Sequence, residues 1–143
     1  MHQSQKAQYA ALPYRRSNGS IEIMLITSRG SRRWIIPKGW PVPGMKPSEA
    51  AAHEAMEEGG VIGRVSESPR GQYCYQKRLS DGSCSPCIVD VFVLEVRSQL
   101  HHWPEKHQRS TKWVSAQDAA SFVQEPGLSQ IIDTLAGEIL REQ

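Results

Sequence analysis

Residues 39–61 read GWPVPGMKPSEAAAHEAMEEGGV, and this stretch decides the fold. A glycine- and proline-rich loop runs into Pro47, a residue suited to the first helical position, with Ser48 and Glu49 completing the first turn. The helix predicted from there is stopped by Gly59 and Gly60. At about 100° per residue, Glu54, Glu57 and Glu58 fall within roughly 100° of one another on one face. Ala51, Ala52, Ala55 and Met56 make an opposite face that is small and apolar, and this face is expected to pack on a sheet. Ala50 lies one turn before Glu54 on the acidic side and adds no bulk there.

The acidic face is costly. Like charges at i,i+3 and i,i+4 each destabilise a helix by roughly 0.2–0.5 kcal/mol. Carboxylates in the last turn also meet the negative end of the helix dipole, at about 0.3–1 kcal/mol each. A sequence that accepts both penalties at one place gains something else there. Magnesium takes oxygen ligands of this kind, commonly a few carboxylates together with substrate phosphates.

Outward from this segment, the periodicity predicts a mixed sheet. Tyr9–Arg15 and Ile21–Ser28 read as strands joined through Ser17-Asn18-Gly19, a hairpin signal. Trp34–Pro37 reads as a short strand leading into the glycine loop. Val61–Val65, Gly71–Leu79, Ile88–Val96 and Thr111–Val114 read as further strands. Ser115 and Asp118 resemble a capping arrangement for a helix through Val123, which Pro126-Gly127 ends. Leu128, Ile131, Ile132, Leu135 and Ile139 mark a closing amphipathic helix. No internal repeat or low-complexity linker interrupts residues 1–143, so one domain is expected, with its core at about 7–136.

Bulk properties fit a small enzyme. The chain has 143 residues, 38% of them hydrophobic and 7% aromatic, which is enough for one aliphatic core. No stretch has the length and apolarity of a membrane span, and MHQSQKAQYA lacks the apolar centre of a signal peptide, so a cytoplasmic location is expected. Net charge is +2, but residues 1–46 carry eight basic side chains against the single acid Glu22. The remainder is net acidic. A basic half beside an acidic helix suits a polyanionic substrate bridged by cations. No nucleic-acid motif or aromatic–basic interleaving is present, so nucleic acid is not expected as the principal partner.

Cys74, Cys84 and Cys87 do not make a disulfide framework. The Cys84/Cys87 spacing follows the turn signal Asp81-Gly82 rather than opening a helix, and the cysteines read as buried or turn residues, not as a zinc or redox pair. His101, His102 and His107 fall in a polar loop with Pro104 and read as solvated. Lys38, beside the glycine loop, is a natural phosphate contact, and the helix N-terminus near Pro47 is suited to anionic oxygens.

The 39–61 segment resembles the Nudix box, G-x5-E-x7-R-E-U-x-E-E-x-G-U, where U is aliphatic. Gly39 matches the first glycine, Glu54 the glutamate after the arginine, Glu57 and Glu58 the glutamate pair, Gly60 the late glycine and Val61 the last aliphatic residue. Met45 stands in place of a glutamate, His53 in place of the arginine, and Ala55 is smaller than usual. Glu49, four residues before His53, is expected to form a replacement pair with it. Flanking segments (RRWIIPKGW, GQYCYQKRL, VDVFVLEV and WPEKHQRSTKWVS) are similar to diphosphoinositol polyphosphate phosphohydrolases and their bacterial relatives in that family. The likeness extends from about Tyr9 to Leu135.

The resemblance implies an α/β/α sandwich with a mixed sheet and a catalytic loop–helix. It implies a Mg2+-dependent hydrolase, with Mn2+ as the alternative ion, acting on a phosphoanhydride bond. Glu54 and Glu58, assisted by the Gly39 carbonyl, become the principal metal ligands. Glu57 binds a further ion or serves as general base, and Glu105, on a late loop, is the second candidate base or ligand. Ser28 and Arg29 match a serine–arginine pair lining a phosphate pocket, and Arg109 and Lys112 are secondary candidates for phosphate contact. Diadenosine polyphosphates or diphosphoinositol polyphosphates are the expected small-molecule substrates. ADP-ribose or a nucleoside triphosphate is the alternative, with Trp34, Trp40, Tyr73 and Trp103 available for stacking. A non-catalytic polyphosphate-binding module is the competing class, since two box positions are altered; the three retained glutamates argue against it. A homodimer is in keeping with the family.

Overall fold

A computed structural model describes residues 6–142 of the chain. Its centre is two long strands lying parallel, β1 (Lys6–Ser17) and β7 (Cys84–Gln99), paired from Lys6↔Cys87 to Tyr14↔Glu95. β2 (Ser20–Thr27) turns back on β1 through Asn18 and Gly19, both at positive φ, as the hairpin signal predicts. β3 (Trp34–Ile35) and β8 (Thr111–Ser115) both pair antiparallel with β2. On the other flank, β5 (Val61–Val65) and β6 (Gly71–Arg78) pair antiparallel with β7. A two-residue strand, β4 (Lys38–Gly39), lies against β1 at Ala10 and Tyr9. That short pairing places Lys38 and Gly39 beside the middle of the sheet.

The central strands are buried on both faces, which is why they read as apolar runs rather than clean alternations. Along β7, Val89, Val91 and Val93 face one core while Phe92 and Leu94 face the other. β2 divides in the same way: Ile21, Ile23 and Leu25 against Met24 and Ile26. The helix α1 (Pro47–Gly59) covers the second face with Ala51 and Ala55. The short α2 (Ala119–Phe122) and the closing helix α3 (Pro126–Arg141) cover the first, through Ala119, Leu128, Ile132, Leu135 and Ile139. Each large aliphatic side chain so buried contributes roughly 1.5–3 kcal/mol. The result is the expected α/β/α sandwich with a mixed sheet.

Several boundaries differ from expectation. β7 begins at Cys84, so Cys84 and Cys87 lie three apart within one strand and point to opposite sides, Cys84 exposed and Cys87 buried. They cannot grip one ion together. Pro126-Gly127 does not merely end the preceding helix: Pro126 opens α3, where its missing N–H costs nothing. The buried face of α1 is also rotated from the predicted one. Ala50, Ala51, Ala55 and Glu58 are buried, while Ala52 and Met56 are only half-covered.

Candidate functional site

α1 begins on Lys46, whose backbone N–H donates to the Glu49 carboxylate at 2.8 Å. This capping bond satisfies an amide that the first turn leaves without a helical partner. It also takes Glu49 away from the replacement pair expected with His53. The imidazole Nε2 of His53 instead lies 3.0 Å from the Glu57 carboxylate, one turn further on. At its other end α1 stops at Gly60, in the left-handed conformation, whose N–H reaches the carbonyls of Ala55 and Met56.

The loop after β7 folds back over that helix end. Leu100 N–H donates to the Gly60 carbonyl at 2.8 Å, and Glu105 N–H to the Glu57 carbonyl at 3.0 Å. The Gln99 amide nitrogen adds bonds to the carbonyls of Gly59 and Gly60, at 3.2 and 2.9 Å. A Cβ on Gly60 would stand 2.3 Å from the Trp103 ring, so this glycine serves both the cap and the docking of the loop. The last helical carbonyls are thereby satisfied, and Glu105 is delivered to the glutamate face. Its position depends on a contact 48 residues away in sequence, which no local pattern announces.

Two carboxylates, Glu58 and Glu105, meet there at one guanidinium, and Glu54 hydrogen-bonds to Glu58. Glu58 is only 5% exposed. Burial pushes its carboxyl up to about 8, and its hydrogen bond with Glu54 and the charges of Glu54 and Glu105 act in the same direction; Arg109 opposes them. Arg109 Nε lies 2.8 Å from Glu105, and its Nη2 lies 3.7 Å from Glu58. Its Nη1 donates to the Thr27 carbonyl at 3.0 Å. With its side chain 8% exposed, Arg109 joins the loop, α1 and the end of β2, rather than standing open to a phosphate.

Gly39 closes the cluster from the sheet side. A Cβ there would lie 2.4 Å from the carboxyl carbon of Glu54, which is why the residue is glycine. Gly39→Ala is expected to displace the Glu54 carboxylate while costing little stability, because the displaced atoms end a flexible side chain. Turnover should fall about a hundredfold with a melting temperature close to wild type. A variant with full activity would show that Glu54 does not need its present position.

The other expected residues divide into two groups. Lys38 is half-buried, with its ammonium 5.1 Å from the Tyr75 ring centre. Burial holds that ammonium below its ordinary value; Glu58 opposes the effect, while Lys77 and Arg109 reinforce it. Lys38 therefore looks onto the carboxylate cluster. Ser28 lines one pocket with Lys38, and Arg29 stands on the turn that follows it. Ser28 Oγ is bound within its own turn, 2.8 Å from Ser31 Oγ and accepting from Arg33 N–H at 2.9 Å. Arg29 is exposed and donates to Gln108 at 2.9 Å. Lys112 places its ammonium over Phe122, 4.8 Å from the ring centre, on the side of the sheet that α2 covers. The histidines of the late loop are exposed.

Among the described residues, no three metal-ligating side chains converge in a binding geometry. The donor set still fits a hard divalent ion. Glu54 and Glu58 hydrogen-bond to one another, burial raises the Glu58 carboxyl, and Gly39 stands against the Glu54 side chain, an oxygen-rich set of the kind such an ion takes. Magnesium would complete its shell from water and substrate phosphate oxygens.

Comparison with known proteins agrees with the architecture. The family described as NUDIX domain matches residues 6–135. Nudix hydrolase 13, mitochondrial, of Arabidopsis thaliana is 31% identical over 104 residues, covering 69% of this chain and 52% of that protein. Diphosphoinositol polyphosphate phosphohydrolase 3-beta of Bos taurus is 28% identical over 121 residues, covering 83% and 70%. The chain spans about half the length of the first plant relatives it matches. A crystal structure of a C. elegans Ap4A hydrolase binary complex superposes with a TM-score of 0.71 at 20% identity, over 94% of this chain and 97% of that one, a likeness of fold. No helix among the described residues is long and apolar enough to cross a membrane.

Proposed function

This chain belongs to the NUDIX domain family, and from that premise we propose that it hydrolyses a phosphoanhydride bond in a small polyphosphate. Nudix hydrolases generally use divalent cations. The observation that carries the reading is the buried Glu58 carboxyl hydrogen-bonded to the half-buried Glu54 beside Gly39, a carboxylate arrangement with no stabilising purpose of its own. Glu54, Glu58 and the Gly39 carbonyl would hold Mg2+. When bound, the ion supplies charge neutralisation on the phosphate and Lewis acidity at the reacting centre.

The chain's own groups do the rest. Lys38 holds a phosphate oxygen at the mouth of the cluster, and its partial desolvation strengthens that contact. Glu57 and Glu105, both half-exposed, are the two groups placed to take the proton of the attacking water. His53 orients the first and Arg109 the second. Arg109 positions these carboxylates, and Ser28, which lines one pocket with Lys38, and the exposed Arg29 beside it are the further groups proposed to contact phosphate.

The test is magnesium-dependent product release from diadenosine polyphosphates, diphosphoinositol polyphosphates, ADP-ribose and nucleoside triphosphates. Turnover of one class is expected, lost in Glu58→Gln. Saturable binding without turnover of any of them would instead identify a polyphosphate-binding module.

A further inference from the structure

Thr27 closes β2 and is only 5% exposed. A valine would suit the strand as well, so a hydroxyl buried there calls for a partner. Its Oγ1 accepts the Ser110 N–H at 2.9 Å. Its own N–H donates to the Ser110 carbonyl at 3.0 Å, and its carbonyl accepts from Arg109 Nη1 at 3.0 Å. Each polar group of Thr27 thus has a partner in Arg109 or Ser110.

The turn that follows β2 fastens the same segment again. Arg29 donates to Gln108 at 2.9 Å, and Arg32 Nη2 donates to Ser110 Oγ at 3.2 Å. Arg32 stands at φ 55°, a left-handed conformation uncommon for a residue with a side chain, and its N–H donates to the Ser28 carbonyl at 3.1 Å. Gln108 and Ser110 are both anchored in this way, with Arg109 between them. Arg109 Nε reaches the Glu105 carboxylate at 2.8 Å, and the Gln108 N–H donates to the Glu105 carbonyl at 2.9 Å. Glu105 is therefore held by its side chain and its backbone, and both holds lead back to the end of β2 or its turn.

We infer that Thr27 is a positioning residue for Glu105. Its hydroxyl fixes Ser110, and its carbonyl fixes the Arg109 guanidinium that holds the Glu105 carboxylate beside Glu58. The inference rests on the phosphoanhydride reading above and adds to it a residue that touches neither cation nor phosphate. Glu54, Glu57 and Glu58 ride on a helix, which fixes their direction, whereas Glu105 stands on a loop, where a side chain is held less tightly. A carboxylate that acts on water or an ion must keep its place to a fraction of an ångström. Thr27 supplies that precision from an inner strand, since β2 pairs with β1 along one edge and with β3 and β8 along the other.

Thr27→Val keeps the shape of the side chain and removes the acceptor, whereas Thr27→Ser keeps the acceptor. In the substrate-free protein the Arg109 Nε–H, identified by its loss in Arg109→Lys, should give a slowly exchanging nitrogen–proton resonance. Thr27→Val should shift or broaden it, and Thr27→Ser should restore it. With magnesium and diadenosine tetraphosphate, Thr27→Val should lower kcat about tenfold at unchanged KM, and Thr27→Ser should recover most of the loss. In a Glu105→Gln background the same Thr27→Val change should cost nothing further in kcat, because groups that act as a unit do not add. Melting temperatures, with Thr27→Ala as a second variant lacking the hydroxyl, separate these effects from loss of fold. An Arg109 resonance and a kcat both untouched by Thr27→Val would overturn the inference, as would a loss that persists without the Glu105 carboxylate. Full turnover by Glu105→Gln would sink it too, and would leave the phosphoanhydride reading in place. If Glu58→Gln hydrolysed the substrate as wild type does, that reading would fail, and the resonance would still decide whether Thr27 holds Arg109.

Discussion

Glu58→Gln is expected to reduce turnover by roughly a thousandfold while making the cation-free protein less sensitive to alkali. The folded carboxyl keeps its proton up to about pH 8, whereas the ordinary value is 4.5, so between these limits the folded state holds a proton that the unfolded chain has released. Stability from this group is fully present below about pH 4.5 and is lost as pH rises to about 8. The size of the loss is of the order of 1.4 kcal/mol for each unit of the difference, before structural relaxation. Melting curves in EDTA between pH 5 and about 9 should therefore decline for the wild type and stay flatter for Glu58→Gln. Magnesium should restore the wild type at high pH, because the cation takes the place of the proton. Its apparent affinity should rise about tenfold per pH unit until Glu58 is ionised near pH 8, with no such slope in the variant. A flat wild-type profile would remove the case for a buried carboxyl awaiting a cation.

Arg109→Met should be the most destabilising single change in the site. It keeps the length and apolar volume of the side chain but removes the only guanidinium among the described residues that lies between Glu58 and Glu105. Glu105 is the ionised partner and is only partly shielded, and Glu58 is buried but protonated below about pH 8, so the expected loss is about 2–3 kcal/mol, below that of a fully buried ion pair. The Thr27 carbonyl also loses a donor, releasing the late loop from the end of β2. Arg109→Lys should recover only part of the loss, since one ammonium cannot serve three acceptors with the geometry of a guanidinium fork. Denaturant midpoints check this directly. If Arg109→Met were as stable as wild type while phosphate affinity fell, Arg109 would be an ordinary substrate contact, as its position in the sequence first suggests.

Much of this protein is legible along the chain because its signals are local. Helix spacing places three glutamates on one face, glycine conformations end α1 at Gly60, and apolar runs flag strands covered on both sides. Local reading failed where one side chain had two partners to choose from. Glu49 could bond either a helical neighbour or the amide at its own helix start, and the amide has no other partner.

The sequence by itself thus determined the sandwich, the glutamate helix and the need for glycine at its end. Only the tertiary structure decided that Arg109 is a buried clamp, that Glu105 reaches α1, and that Thr27 anchors both Arg109 and Ser110. Those outcomes depend on segments tens of residues apart competing for the same carboxylates and the same shelter from water. Burial and pairing of charge are set by that three-dimensional competition, and spacing along a chain carries no record of it.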